Sequence, residues 1–328
     1  MARTGGRYLV SAPKQRRPCR KPLLYGMQLP VQSQSTLYAE PWEAGAGPDD
    51  LAEIARTADR CGFAYLASCD HVAIPRRLAA AMSTVWYDPV ATLAFLAAVT
   101  ERVRLLSHVA VVGLRHPLLT AKQYATLDHL SGGRLILGVG AGHVREEFEV
   151  LGVDFAARGA LLDECVDALR AALGPEEFPA HHGKAYDFEG LGQRPRPAQR
   201  HVPVWVGGSS PAAVRRAAVR GDGWLPQGDP RDRLPGQIAR LRDLREQAGA
   251  EGPFTVGAIT EPLYVGAPGW DVGRRTLTGT PDVLAESLRA YRAMGVDQIQ
   301  VRFRSRGLGE LIDQMTAFGA EVAPLLGP

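Results

Sequence analysis

From residue 23 onward, short apolar runs alternate with longer segments in which apolar side chains return every three or four positions, and eight such pairs can be counted. Runs without polar alternation suit strands buried on both faces, and the longer segments suit helices laid against them, so the pattern predicts β/α units on a parallel sheet. The strands are expected at 23–28, 64–68, 103–109, 134–138, 203–206, 223–225, 254–259 and 297–302. The helices are expected near 49–61, 88–100, 117–130, 158–173, 211–220, 232–248, 281–294 and 308–322. Pro48-Asp49-Asp50, Asp88-Pro89, His116-Pro117, Ser210-Pro211 and Thr280-Pro281 each put a cap or a first-turn proline where a helical period begins. Gly62, Gly174, Gly221 and Gly295 are expected to close four helices in the left-handed conformation.

Eight repeats with no linker between halves favour one closed (β/α)8 barrel over an open sheet split into two lobes. The domain is expected to occupy 22–328. Its spacing breaks at 69–87, after the second strand, and at 174–202, between the fourth helix and the fifth strand. The first break follows a strand's C-terminal end, where barrel enzymes place their chemistry, and reads as a lid or substrate wall. The second lies on the opposite face, and 182–188 within it reads as a small hairpin.

Composition narrows the classes. With 45% hydrophobic and 22% charged residues in 328, the chain is ordinary for a globular protein and unlike disordered or coiled-coil sequences. Its richest apolar stretch, 93–99, is far short of the ~18–20 residues of a membrane span, so no membrane partner is expected. The net charge of +3 hides an asymmetry: seven of the 38 basic residues fall within 1–21 with no acid among them, leaving 31 bases against 35 acids in the rest. This leader has no apolar core of a secretory signal and reads as a disordered extension; a nucleic-acid or anionic-surface contact is the competing reading. Cys19, Cys61, Cys69 and Cys165 form no C-x-x-C pair, as a reducing cytoplasm permits, and no disulfide framework is expected.

Candidate chemistry gathers at strand ends. Ser68-Cys69-Asp70-His71 closes the second strand. Neighbouring side chains there point to opposite faces, so Cys69, Asp70 and His71 cannot converge as a nucleophilic triad. Asp70 and His71 suit a polar ligand that needs a hydrogen-bond partner and a proton donor, or else a pair that anchors a loop. His108, at the end of the third strand, reads either as a satisfied core residue or as a ligand contact at the rim. No metal is expected, because His71, His108, His116 and His143 lack ligand spacing. Gly138-Val-Gly140-Ala-Gly142-His143 departs from the dinucleotide G-x-G-x-x-G at its sixth position and reads as a tight turn or as backbone that comes close to a flat ring or an anion. Gly207-Gly208-Ser209-Ser210 leads straight into a helix and suits an anion, with Ser210 alone sufficient as an N-cap.

In order, Asp70-His71, Leu114-Arg-His-Pro117, the segment 127–135, Gly138 to Gly142 with Glu146-Glu-Phe148, Val204-Trp-Val-Gly-Gly208, Gly221-Asp-Gly-Trp224 and Gly279-Thr-Pro281 resemble the bacterial luciferase-like superfamily. Within it the resemblance is closest to the oxidoreductases that use the deazaflavin coenzyme F420, and it covers about 22–323. It implies a cofactor at the upper rim, with Asp70 at the ring system and His71 beside the reacting carbon as proton donor or transition-state stabiliser. It further implies a non-proline cis peptide behind the ring at His108–Val109 or, one residue earlier, at Ser107–His108, with Ala141, Gly142 and His143 along the cofactor, and Gly207, Gly208 and Ser209 at its phosphate. Where the group's sugar-phosphate dehydrogenases carry a catalytic glutamate, this chain has His143, and no tryptophan stands within 72–85. The implied reaction is therefore hydride transfer between reduced F420 and an unsaturated or carbonyl-containing small molecule; the apolar loop bearing Trp86 and Tyr87 reads either as a substrate wall or as an ordinary packed excursion. Reduced FMN in an oxygen-activating monooxygenase is the alternative within the same fold. The resemblance also implies a homodimer, and no nucleic-acid partner is expected.

Overall fold

The computed structural model describes residues 22–36, 38–228 and 230–327. The basic segment 1–21 and Cys19 lie outside the described residues. Eight parallel strands, β1 Leu24–Gln28, β2 Tyr65–Ser68, β3 Arg104–Ser107, β4 Leu135–Val139, β5 Val204–Gly207, β6 Gly223–Leu225, β7 Thr255–Ile259 and β8 Gln298–Val301, pair in sequence. The ring closes where β8 pairs with β1, Leu24 opposite Gln298 and Met27 opposite Val301. The (β/α)8 barrel expected from the period is the observed fold. Its helices are α1 Pro48–Arg60, α2 Pro89–Ala97, α3 Pro117–Leu130, α4 Arg158–Leu173, α5 Pro211–Arg220, α6 Leu234–Gln247, α7 Pro281–Ala293 and α8 Leu308–Ala317. Among the described residues no helix is long and apolar enough to cross a membrane.

The barrel is filled by side chains. Tyr65, Leu106, Ile136, Trp205 and Leu225 pack with Ala67 into one interior cluster, and the Tyr65 hydroxyl donates to Gln298 Oε1 at 2.5 Å. Size is balanced across the interior: a Cβ on Gly26 would fall 2.3 Å from the Tyr65 ring, so only glycine leaves room there. The larger core lies between strands and helices, where Leu51 and Ile54 of α1, Leu93 and Leu96 of α2 and Leu284 and Leu288 of α7 are all buried. Asp88 and Ser210 cap α2 and α5 by accepting the Ala91 and Ala213 N–H groups, as the sequence predicts.

Four details differ from the expectation. Gly62 and Gly295 are left-handed, but Gly174 and Gly221 are extended; a Cβ on Gly221 would lie 2.8 Å from the Ala217 carbonyl, so crowding, not φ, calls for glycine there. The third strand stops at Ser107, because His108–Val109 bulges out of the β3–β4 ladder and pairing returns only at Ala110 opposite Val139. The last helix ends at Ala317 and runs on as a π-turn, Phe318–Val322. A third excursion, 260–280, leaves the end of β7 and carries two short parallel strands, Leu263–Val265 and Leu277–Gly279. The 182–188 segment does form a hairpin, His181–His182 against Asp187–Phe188.

Candidate active site

The C-terminal ends of β2 and β4 bring His71, Glu147 and His143 together. Loops zip over this side: Gln34 and Tyr87 N–H groups, on the segments after β1 and β2, donate to the Val85 and Gln32 carbonyls. His71 Nδ1 lies 3.0 Å from Glu147 Oε2, and Glu147 Oε1 accepts the N–H groups of Val72 and Ala73 at 2.5 and 3.2 Å. Glu147 sits on a short helix, Arg145–Val150, and is buried. Burial would raise its carboxyl pKa, but the hydrogen bond and charge of His71, with the two N–H groups, outweigh burial and hold it below the usual range. An ionised carboxylate only accepts, so Nδ1 of His71 carries a proton and Nε2 is the nitrogen left for chemistry. Trp86 meets the His71 ring edge-on with centroids 4.4 Å apart, and His143 stands perpendicular to it at 5.4 Å. Partial burial and then His71 lower the His143 pKa, against the pull of Glu147. Tyr87 instead packs against the core.

Asp70 turns the other way. Its carboxylate accepts both terminal nitrogens of Arg115, at 2.7 and 2.9 Å, and the Val111 N–H at 2.8 Å. The pair ties the end of β2 to the 3-10 turn Val112–Leu114 that follows the bulge, which gives Asp70 a positioning task at the site.

The peptide His108–Val109 is cis, the first of the two bonds the resemblance implied. Val109 fills the space between two glycines: a Cβ on Gly140 would lie 2.3 Å from Val109 Cγ2, and one on Gly207 2.4 Å from Cγ1. Backbone of β4 and β5 therefore closes on this side chain and forms a smooth floor. Gly142 follows in the left-handed conformation at φ 73°, with Ala141 and Gly142 partly exposed. His108 is buried, and burial pushes its pKa down to about 4, so its ring is neutral. Gln300 Nε2 faces His108 Nδ1 at 3.4 Å and Gln28 Oε1 at 3.4 Å, while Nε2 of His108 has no partner among the described residues. Gln28 in turn donates to Cys69 Sγ, whose thiol burial pushes up to about 12.

At β5 the three residues expected at an anion are partly committed elsewhere. The Gly208 N–H goes to the Leu225 carbonyl, and the Ser209 hydroxyl both donates to and accepts from the Gln227 backbone, at 2.9 Å each way. Beyond them, a cavity of about 730 Å³ opens over the ends of β6, β7, β8 and β1, with Gln28, Gln227, Thr260, Gln300 and Arg302 on its wall.

The sequence reading did not assign Glu147 or Arg115. Both fall in motifs that it singled out, 114–117 and 146–148, yet their partners stand 76 and 45 residues away, a separation no spacing rule reaches.

Comparison with known proteins gives a consistent picture. The luciferase-like monooxygenase family pattern matches residues 25–268. An uncharacterised protein of Mycobacterium tuberculosis is 37% identical over 224 residues, 68% of this chain and 75% of that one. An FMNH2-dependent dimethylsulfone monooxygenase of Pseudomonas putida is 27% identical over 329 aligned residues, 84% of this chain and 86% of that one. Among solved structures, an F420-dependent secondary alcohol dehydrogenase in complex with an F420-acetone adduct superposes with a TM-score of 0.75 at 14% identity, covering 94% of this chain and all of that one.

Proposed function

Since the chain belongs to the luciferase-like monooxygenase family, we propose that it is an oxidoreductase that takes reduced F420 as hydride donor and reduces an unsaturated or carbonyl-containing small molecule. The carrying observation is the His71–Glu147 couple beside the floor made by Val109, Gly140 and Gly207. The asymmetry suits a planar ring: one side of the mouth is smooth backbone, and the other presents an imidazole. The unpartnered Nε2 of buried His108 adds a polar group that such a ring's edge can satisfy.

The coenzyme, when bound, supplies the hydride. Val109 and the two glycines orient its ring. His71 Nε2 hands a proton to the substrate atom on which charge develops, while Glu147 holds the ring through Nδ1 and stabilises its charged form. Trp86 packs on the imidazole and limits water around it. Asp70 and Arg115 fix the backbone that carries His71. For the phosphate, Gly207 and Gly208 allow close approach, and N–H groups at the head of α5 would meet the anion. Ser209 contributes through its backbone, since Gln227 occupies its hydroxyl.

The F420 preference rests on Asp70-His71 and on the Gly140-to-His143 segment. The Pseudomonas relative favours a second reading, in which reduced FMN activates oxygen at the same floor. Anaerobic titration of the full chain with reduced F420 and with reduced FMN separates them. Tighter binding of F420 is expected; selective FMN binding followed by oxygen uptake would replace the first reading with the second.

A further inference from the structure

The 730 Å³ cavity is not explained by the coenzyme floor, which lies at β3–β5, whereas the cavity opens over β6, β7, β8 and β1. Its described lining sets three guanidinium groups, Arg231, Arg275 and Arg302, against one carboxylate, Glu261. That carboxylate already accepts the Tyr291 hydroxyl at 2.8 Å. Arg231 is held over the Tyr291 ring, 4.4 Å from its centroid, and Arg302 donates to the Tyr38 carbonyl, so both cations are fixed in place. Arg275 rides on the unexpected 260–280 excursion and has no hydrogen-bond or ion-pair partner among the described residues. A second observation points inward: Gln300 is 2% exposed, lines the cavity, and its Oε1 has no partner among the described residues. A buried carboxamide oxygen left unpaired is costly unless something donates to it.

We propose that this cavity is a subsite for an anionic group on the second reactant, so that the substrate is an organic carboxylate or sulfonate whose reducible end reaches toward His71. The inference rests on the hydride-transfer reading above and names the substrate class of that site. Geometry supports the reach: Gln28 lines the cavity and bonds Cys69, two residues before His71, so the inner wall of the cavity adjoins the catalytic side of the mouth. Arg302 and Arg275 attract and hold the anion, and Gln300 Oε1 takes a donor on the substrate.

The test uses full-length protein saturated with F420 and three probes of equal length: hexanoate, hexanesulfonate and hexan-1-ol, followed by calorimetry and by saturation-transfer NMR. Both anions are expected to bind at least about tenfold tighter than the alcohol. Arg275→Gln should remove about tenfold of the anion affinity and change the F420 dissociation constant less than about twofold. Equal binding of the alcohol, or no anion binding, overturns the subsite. So does loss of F420 affinity in Arg275→Gln with anion affinity intact, which would assign the guanidinium to the coenzyme tail. Protein that binds neither F420 nor FMN, yet still prefers hexanoate to hexanol, would retain the anion site and refute the coenzyme reading instead.

Discussion

Adding a single methyl group at Gly207 tests the floor on which the site is built. Gly207 has no left-handed φ, so alanine is conformationally acceptable and the cost is steric alone. The new Cβ would stand 2.4 Å from Val109 Cγ1, more than 1 Å inside the ~3.5–4.0 Å at which carbon atoms pack. On its other side Val109 packs against Gly140, its Cγ2 only 2.3 Å from where a Cβ on that glycine would stand, so a retreat in that direction meets the Gly140 backbone. Overpacking of this kind costs about 1–3 kcal/mol. In a Val109→Ala background both γ-methyls are gone and the nearest atom to the new Cβ is Val109 Cβ at 3.6 Å, an ordinary contact. Gly207→Ala should therefore cost about 1–3 kcal/mol in the parent and within about 0.5 kcal/mol of nothing in Val109→Ala, a coupling that urea denaturation of the four proteins measures. The reasoning is refuted if Gly207→Ala is as stable as the parent, or if its cost is unchanged when Val109 is truncated.

The other expected outcomes concern the couple and its supports. His71→Ala should depress turnover far more than F420 affinity, and an equal turnover in the variant would remove His71 from proton transfer. Glu147→Gln keeps an oxygen for the Val72 and Ala73 N–H groups but not the charge beside His71, so turnover should fall about 10–100-fold with folding intact by circular dichroism. Arg115→Met leaves buried Asp70 without its countercharge and should cost about 3–5 kcal/mol in urea denaturation, while Arg115→Lys should restore only part of it. Glu310 anchors the 260–280 excursion by accepting from Tyr264, Trp270 and Arg306; these bonds outweigh burial and hold its pKa down to about 2. A depressed carboxyl stabilises above its unfolded value of about 4.3 and loses that contribution as pH falls toward 2, so hydrogen-exchange protection factors in 263–279 should fall across that window, whereas in Glu310→Gln they should be low throughout and lack that pH dependence.

The barrel was legible because parallel strands buried on both faces read as unbroken apolar runs, and because Asp88, Ser210 and the first-turn prolines mark helix starts with local chemistry. The 260–280 excursion was not, since strands of three residues leave too short a pattern to detect. At the site, strand-end position alone raised His71 and His108, and family likeness located the cis bond to within one residue. What remained hidden is pairwise and distant: Glu147 with His71, Arg115 with Asp70, and Gln300 between His108 and Gln28. Ser209 shows the same limit, because its neighbour Gln227 comes from the next strand's loop.

The most direct measurement is a crystal structure of the full chain with F420 bound. The ring is expected against the His108–Val109 peptide with its reacting carbon facing His71 Nε2, and the phosphate at Gly207–Gly208 by the head of α5. A ring lodged away from Val109, or turned so that His71 cannot reach the reacting edge, would contradict the proposed chemistry.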